Sequence, residues 1–265
     1  MPTLDVDGAP LTYDDVGDGP VVVLLHAGIA DRRMWRHQVA ALRERHRVLN
    51  VDLPGYGDSG LPRDGYANHD AVVGLLDQCD VDQAVLVGCS FGGAVAIDTT
   101  LAHPDRVGAL ALFGSAVSGH RWSEQFRQLR QAVFADIDDD DLDAVAKAEI
   151  DLWVVGPDRE PDDLDPGFLR FALELNRRAV TAEAALDVVP RQALAPAAIG
   201  RLAEIQVLTL VAVGAADVAD IRRLAERIAA EVPQARRVPD IPDAAHLLPL
   251  ERPDLINPIL LAFLR

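Results

Sequence analysis

Four short runs of nearly unbroken apolar residues, with helix-like stretches between them, constrain this chain more than any other feature. They are Val21-Val22-Val23-Leu24-Leu25, Arg47-Val48-Leu49-Asn50-Val51, Ala84-Val85-Leu86-Val87 and Ala109-Leu110-Ala111-Leu112-Phe113. Strands of that composition have both faces covered, as in a parallel sheet, and lack the polar alternation of a half-solvated one. Helices are predicted near Met34 to Glu44, Asp70 to Gln78 and Phe91 to His103. The alternation predicts an α/β fold, a mostly parallel central sheet with helices on both faces. The start, Thr3 to Tyr13, reads as an antiparallel hairpin turning at Asp7-Gly8.

After Phe113 the pattern changes. From about Ser118 to Leu202 no buried-strand run stands out, whereas Phe126, Leu129 and Val133, then Phe168, Phe171, Leu173 and Leu175, recur at helical spacing. Alternation resumes with Gln206 to Val213, a helix near Val218 to Glu231, a short strand at Ala235 to Val238 and a last helix from Pro253. A helical insertion, residues 118–204, is therefore expected after the sixth strand of a core formed by 1–117 and 205–265. The acidic stretch Asp136 to Asp143 reads as a solvated loop and helix start in preference to a metal cluster.

A formal net charge of -17 argues against nucleic acid and anionic lipid as partners. Cys79 and Cys89 form no CxxC or Cys/His cluster, so neither a disulfide framework nor a metal site is expected. Met1 to Gly8 lack the basic start and apolar run of a secretory signal, and no apolar run reaches the ~18–20 residues of a membrane helix. A cytoplasmic protein, monomer or homodimer, acting on a small molecule is expected.

Gly88-Cys89-Ser90-Phe91-Gly92-Gly93 follows the run Ala84–Val87 and precedes the helical run Ala94 to Leu101. A G-x-S-x-G motif between strand and helix makes a turn too tight for side chains at its flanks, which projects the serine from the sheet edge. Phe91 then opens the helix with a free N–H at the positive end of the dipole, a donor for an oxyanion. Ser90 needs a base within reach, and the base needs an orienting carboxylate, which in this architecture follow in the order acid, then histidine. Of seven histidines, only His246 lies in a loop after the last strand, in Pro242-Asp243-Ala244-Ala245-His246-Leu247-Leu248. For the acid, the loop Gly114 to Gly119 holds no carboxylate, whereas Gly214-Ala215-Ala216-Asp217 supplies one; Asp220 is the fallback, read otherwise as a first-turn helix charge. Strand Val21–Leu25 ends in His26-Ala27-Gly28, where Gly28 is the candidate second oxyanion donor. His26 is read as structural, its ring bonding backbone around the loop. His103 reads as a surface residue.

With these stations in order, the sequence resembles the α/β-hydrolase superfamily along nearly its whole length. The resemblance is carried by His26-Ala27-Gly28, Asp52-Leu53-Pro54-Gly55-Tyr56-Gly57-Asp58-Ser59, the Ser90 elbow, Gly214 to Asp217, and His246-Leu247-Leu248-Pro249-Leu250-Glu251-Arg252-Pro253. Gly28 to Met34-Trp35, with the His246 segment, looks most like 3-oxoadipate enol-lactonases and related small carboxylesterases. Ala27 replaces the usual glycine after histidine. A serine nucleophile disfavours aspartate-dependent dehalogenases and epoxide hydrolases, and the Gly-rich oxyanion loop of meta-cleavage C–C hydrolases is missing. The insertion corresponds to the family's cap.

The resemblance implies a serine hydrolase acting on an ester or lactone-like carbonyl through an acyl-enzyme, with Ser90, Asp217 and His246 as triad and no cofactor. C–C bond hydrolysis, acyl transfer to an alcohol or a perhydrolase side reaction on the same triad, and a slow or non-catalytic ligand receptor, are the alternatives. His120, Trp122, Phe126 and Trp153 are candidate pocket walls, and Arg121, Arg127 and Arg130 candidate contacts for a substrate carboxylate.

Overall fold

The computed structural model of the chain describes residues 3–6, 8–62, 65–186 and 190–265. The chain opens with β1 (Thr3–Val6) and β2 (Ala9–Val16), then supplies β3 (Val21–Leu25), β4 (Arg47–Val51), β5 (Ala84–Cys89), β6 (Val107–Phe113), β7 (Leu208–Ala212) and β8 (Ala235–Arg237). Gly8 carries the positive φ of the hairpin, 83°, and its N–H donates to Asp5 Oδ1 at 2.8 Å; Asp7, the other turn residue expected, lies outside the described residues. The strands form one sheet in the order β1-β2-β4-β3-β5-β6-β7-β8. The β1–β2 and β2–β4 pairs are antiparallel and the others parallel. Strand order reverses between β3 and β5, where a doubly wound sheet opens a crevice at its carboxyl edge. Ser90 and the Gly28 loop stand at that crevice.

Between strands lie α1 (Arg36–Leu42), α2 (Asn68–Gln78) and α3 (Phe91–Ala102), three helices α4 (Glu124–Val133), α5 (Leu142–Glu149) and α6 (Pro166–Leu186) separate β6 from β7, and after β7 come α7 (Ala219–Glu231), α8 (Leu248–Glu251) and α9 (Pro253–Phe263). The continuous apolar runs split residue by residue between two cores because successive strand side chains point to opposite faces. Val23, Leu25, Leu86 and Leu112 pack with α2, α3 and α7, whereas Val22, Leu24, Val87 and Phe113 pack with α1, α9 and Trp35. The helix expected from Met34 starts instead as a 3-10 turn, Arg32–Trp35, capped by Asp31 accepting Arg33 N–H at 3.0 Å.

That turn buries Arg32. Its guanidinium reaches Asp52, Asp58 (3.0 Å) and Asp14 (3.5 Å), with side-chain exposure of 3% for Arg32 and 0% for Asp52. Asp52 also accepts Arg32 N–H at 2.7 Å and Asp58 N–H at 2.9 Å. The cluster ties the loop after β3 to the loop after β4.

The segment between β6 and β7 holds α4 (Glu124–Val133), α5 (Leu142–Glu149), a π-helical turn Ile150–Val155 and α6 (Pro166–Leu186). The acidic stretch ends as a helix start, with Asp141 accepting Ala144 N–H at 3.0 Å. Two of the seams that join this segment to the sheet layer lie at opposite edges. At one, Ser123 N–H and Oγ–H donate to buried Asp220 on α7, at 2.8 and 2.7 Å. At the other, Arg178 on α6 pairs with Asp58 (2.7 Å) and Asp31 (3.4 Å), while Arg33 pairs with Glu174 (2.6 Å).

Glu149, at the end of α5, is half-buried beside Asn176, whose Oδ1 has no partner among the described residues. Burial, with the Glu183 carboxylate adding to it, pushes the Glu149 pKa up to about 7. The folded chain therefore holds a proton that the unfolded chain releases near 4.5, and this group's contribution to stability declines as pH rises between those values. Glu149→Gln should flatten that part of the stability profile and stand ~1–2 kcal/mol above the parent at about pH 8, read from urea melts at both ends of the window.

Candidate active site

The elbow follows from its backbone. Ser90 has φ 52° and ψ -115°, a region that non-glycine residues rarely occupy and that marks strain at functional turns. A β-carbon at Gly88 would run into the Gly92 backbone, and one at Gly92 into the carbonyls of Leu25 and His26, so side chains are excluded at both flanks. The turn is pinned by Ser90 N–H to Phe113 C=O (3.1 Å) and Ala116 N–H to Ser90 C=O (3.0 Å). Although Ser90 occupies the N-cap of α3, its hydroxyl makes no capping bond there. It faces His246 instead.

His246 Nε2 lies 2.6 Å from Ser90 Oγ, and His246 Nδ1 lies 2.8 Å from Asp217 Oδ2. The other Asp217 oxygen accepts Val218 N–H at 2.8 Å, which fixes the carboxylate in the plane it presents to the ring. Asp217 is 3% and His246 2% exposed, so this chain of bonds is shielded from water on the side away from the serine. Residues 90, 217 and 246 come from the ends of β5, β7 and β8. The sheet brings them together.

In the loop after β3, Ala27 N–H is taken up by Met34 Sδ at 3.3 Å, and Ala30 N–H closes a turn onto Ala27 C=O at 3.1 Å. Gly28 sits inside that turn, and a β-carbon on it would lie 3.6 Å from Phe91 Cβ. The two expected donors are thus neighbours across the crevice. His26 bridges backbone: Nδ1 lies 2.8 Å from Ala27 O, and Leu53 N–H donates to Nε2 at 3.0 Å. Burial lowers its pKa, against the pull of Asp52, so the ring serves as a neutral strut.

The expected pocket residues do gather. Trp122 stacks on Phe126 (centroids 4.3 Å), Trp153 meets Trp122 at 5.9 Å and Phe126 at 5.3 Å, and His120 stands edge-on to Trp122 at 5.1 Å. Trp122, Phe126 and Trp153 line a cleft of about 380 Å³ with Arg127 and Arg130. Arg127 is held by Glu124 and by the Trp122 carbonyl, both at 2.6 Å, and Arg130 lies over the Phe134 ring. His120 points to Asp220 at 3.4 Å. Asp220, the fallback acid, belongs to the seam with Ser123 and does not contact His246; burial works against its ionisation, yet the Ser123 bonds hold its carboxyl below the usual range.

Three contacts to the His246 loop were not anticipated. The Cys89 thiol donates to His246 C=O at 3.4 Å, and burial pushes that thiol well above its ordinary pKa. Glu251 accepts Ala245 N–H at 3.0 Å and pairs with Arg159 at 2.6 Å. Trp153 lies against the imidazole, centroids 4.6 Å apart. Glu251 falls within the His246-to-Pro253 station, but its partner at 159 leaves no local sequence signal.

Residues 22–259 match the sequence model described as the Alpha/beta hydrolase family. The chain belongs to that family. Among curated relatives, this α/β hydrolase is 38% identical over 116 residues to the 2-hydroxymuconate semialdehyde hydrolase of Pseudomonas sp. (strain CF600), the match covering 41% of each chain. It is 37% identical over 116 residues to epoxide hydrolase A of Mycobacterium tuberculosis (strain ATCC 25618 / H37Rv), covering 41% of this chain and 36% of that one. The hydrolase thus spans well under two thirds of the curated relatives' length in these matches. Among solved structures, the enol-lactonase from Burkholderia xenovorans LB400 superposes with a TM-score of 0.79 at 27% identity, covering 99% of both chains.

Proposed function

We propose that this α/β hydrolase is a serine hydrolase that cleaves an ester or lactone-like carbonyl through an acyl-enzyme. The observation that carries the reading is the unbroken relay from Ser90 Oγ to His246 Nε2 (2.6 Å) and from His246 Nδ1 to Asp217 Oδ2 (2.8 Å). As Ser90 Oγ attacks the carbonyl carbon, His246 takes its proton and Asp217 holds the imidazolium that forms. The N–H groups of Gly28 and Phe91 receive the oxyanion, each such donor contributing ~3 kcal/mol to the transition state in comparable sites. His246 then returns the proton to the leaving oxygen, and a water activated by the same histidine releases the acyl group from Ser90. The steps need only these residues and water. Residues 118–204 act as a cap that supplies the pocket walls over a small-molecule substrate. The whole-chain likeness to an enol-lactonase supports the ester or lactone assignment. Hydrolysis of a C–C bond by the same relay stands second, favoured by the identity to the 2-hydroxymuconate semialdehyde hydrolase.

A fluorophosphonate probe should label the native protein once, on Ser90. Ser90→Ala should abolish both labelling and turnover of p-nitrophenyl esters, a loss of about 10⁶-fold in kcat, with the melting transition retained. Labelling of Ser90→Ala at the native rate would defeat the nucleophile assignment.

A further inference from the structure

Trp153 has no part in the steps above, yet it meets their base through both its ring and its backbone. Its indole lies at 31° to the His246 imidazole with centroids 4.6 Å apart, and its backbone carbonyl accepts His246 N–H at 3.2 Å. It is delivered by the π-helical turn Ile150–Val155, a geometry that re-aims side chains and recurs at functional sites. The turn's unpaired carbonyls are held by one side chain: Arg159 donates to Val154 C=O at 2.7 Å and Val155 C=O at 2.9 Å. Arg159 also pairs with Glu251 at 2.6 Å, and Glu251 accepts Ala245 N–H, next to the histidine, at 3.0 Å. The π turn and the histidine loop are thus clamped to each other through Arg159 and Glu251 as well as through Trp153.

We propose that Trp153 is a positioning residue for His246, so that the helical segment between β6 and β7 sets the attitude of the base. The inference rests on reading Ser90, Asp217 and His246 as a triad. Asp217 fixes Nδ1 and Ser90 meets Nε2, but these two bonds still let the ring roll about the line joining its nitrogens. A flat indole against one face removes that freedom, and its π cloud favours the imidazolium formed during proton transfer. Trp122 and Phe126 brace the indole in turn and do not themselves stack on His246.

The test uses the full chain with p-nitrophenyl acetate, a substrate too small to fill the aromatic cleft. Trp153→Met, which keeps apolar bulk without a ring face, should lower kcat about ten- to hundred-fold, the effect of a misaligned catalytic group, with KM within about twofold. Trp153→Phe should recover most of that loss. Phe171→Met removes a ring from the same helical segment but outside the cleft, where it packs against Arg33 and Arg36, and should leave kcat near the parent's. In proton NMR, the His246 Nδ1 resonance should move in Trp153→Phe and Trp153→Met but not in Phe171→Met. An unimpaired Trp153→Met, an equal loss in Phe171→Met, or no recovery with phenylalanine overturns the proposal. Should Trp153→Met not fold, the resonance in Trp153→Phe decides alone, an unmoved signal overturning it. Ser90→Ala separates the two readings. If it stays active, the triad is wrong; if it is dead while Trp153→Met is unimpaired, only the positioning role falls.

Discussion

Asp217→Asn should lower kcat by about ten-thousandfold while the protein folds normally, because the amide holds His246 in the wrong tautomer and cannot stabilise its cation. The carboxylate now accepts from His246 Nδ1 and Val218 N–H on separate oxygens, so an asparagine that keeps one of these bonds presents an NH₂ to the other donor or to the ring. Asp220→Asn is the matched control. It lies three residues on and is equally buried, but it bonds Ser123 and Arg223 and not the histidine. It should retain kcat near the parent's and instead soften the seam between α4 and α7. Steady-state rates on one ester, with thermal melts of both variants, separate the outcomes. A dead Asp220→Asn beside an active Asp217→Asn would reassign the acid.

The largest effect on stability is expected from Arg32→Met. With its guanidinium removed, Asp52 is left wholly buried with, among the described residues, only the N–H groups of residues 32 and 58 to satisfy it. Removing one partner of a buried ion pair costs about 3–5 kcal/mol, since the remaining charge stays desolvated. The urea midpoint should fall accordingly with the slope unchanged. A double change, Arg32→Met with Asp52→Leu, should recover much of the loss, because apolar groups of similar volume replace buried pairs at little cost. If the single variant loses less than about 1 kcal/mol, the cluster is better hydrated than its burial implies.

The elements that set the site's position were legible because each is written locally. The apolar runs at 21–25, 84–87 and 109–113 become β3, β5 and β6, and the glycines flanking Ser90 are there because backbone approaches from both sides. The loop at 114–119 contains no acid, which directs the expectation to the loop after β7, while the choice there between Asp217 and Asp220 rests on the distance to His246. His26 was readable as a strut from its place directly after a strand. What stayed hidden depends on pairs far apart in the chain. Trp153 and His246 are ninety-three residues apart, as the numbering gives, and no periodicity announces that an indole will lie on an imidazole. The π turn is invisible because its residues, Ile-Asp-Leu-Trp-Val-Val, suit an ordinary helix equally well. No local pattern marks Arg32 as buried, because its burial comes from the convergence of two loops.

The Ser123–Asp220 and Arg178–Asp58 seams of the segment between β6 and β7 differ in kind, and so in their response to salt. The Ser123–Asp220 seam is short-ranged and enclosed, with Asp220 only 3% exposed. The opposite seam depends on long side chains in water, with Arg178 37%, Asp58 45% and Glu174 60% exposed. Mobile ions at physiological strength screen exposed charges beyond roughly 8 Å and weaken such pairs, while leaving enclosed hydrogen bonds almost untouched. Higher salt is therefore expected to weaken the Arg178 and Arg33 pairs before the Ser123–Asp220 bonds, so that the edge of the segment facing Asp31 and Asp58 responds to ionic strength and the edge facing α7 does not.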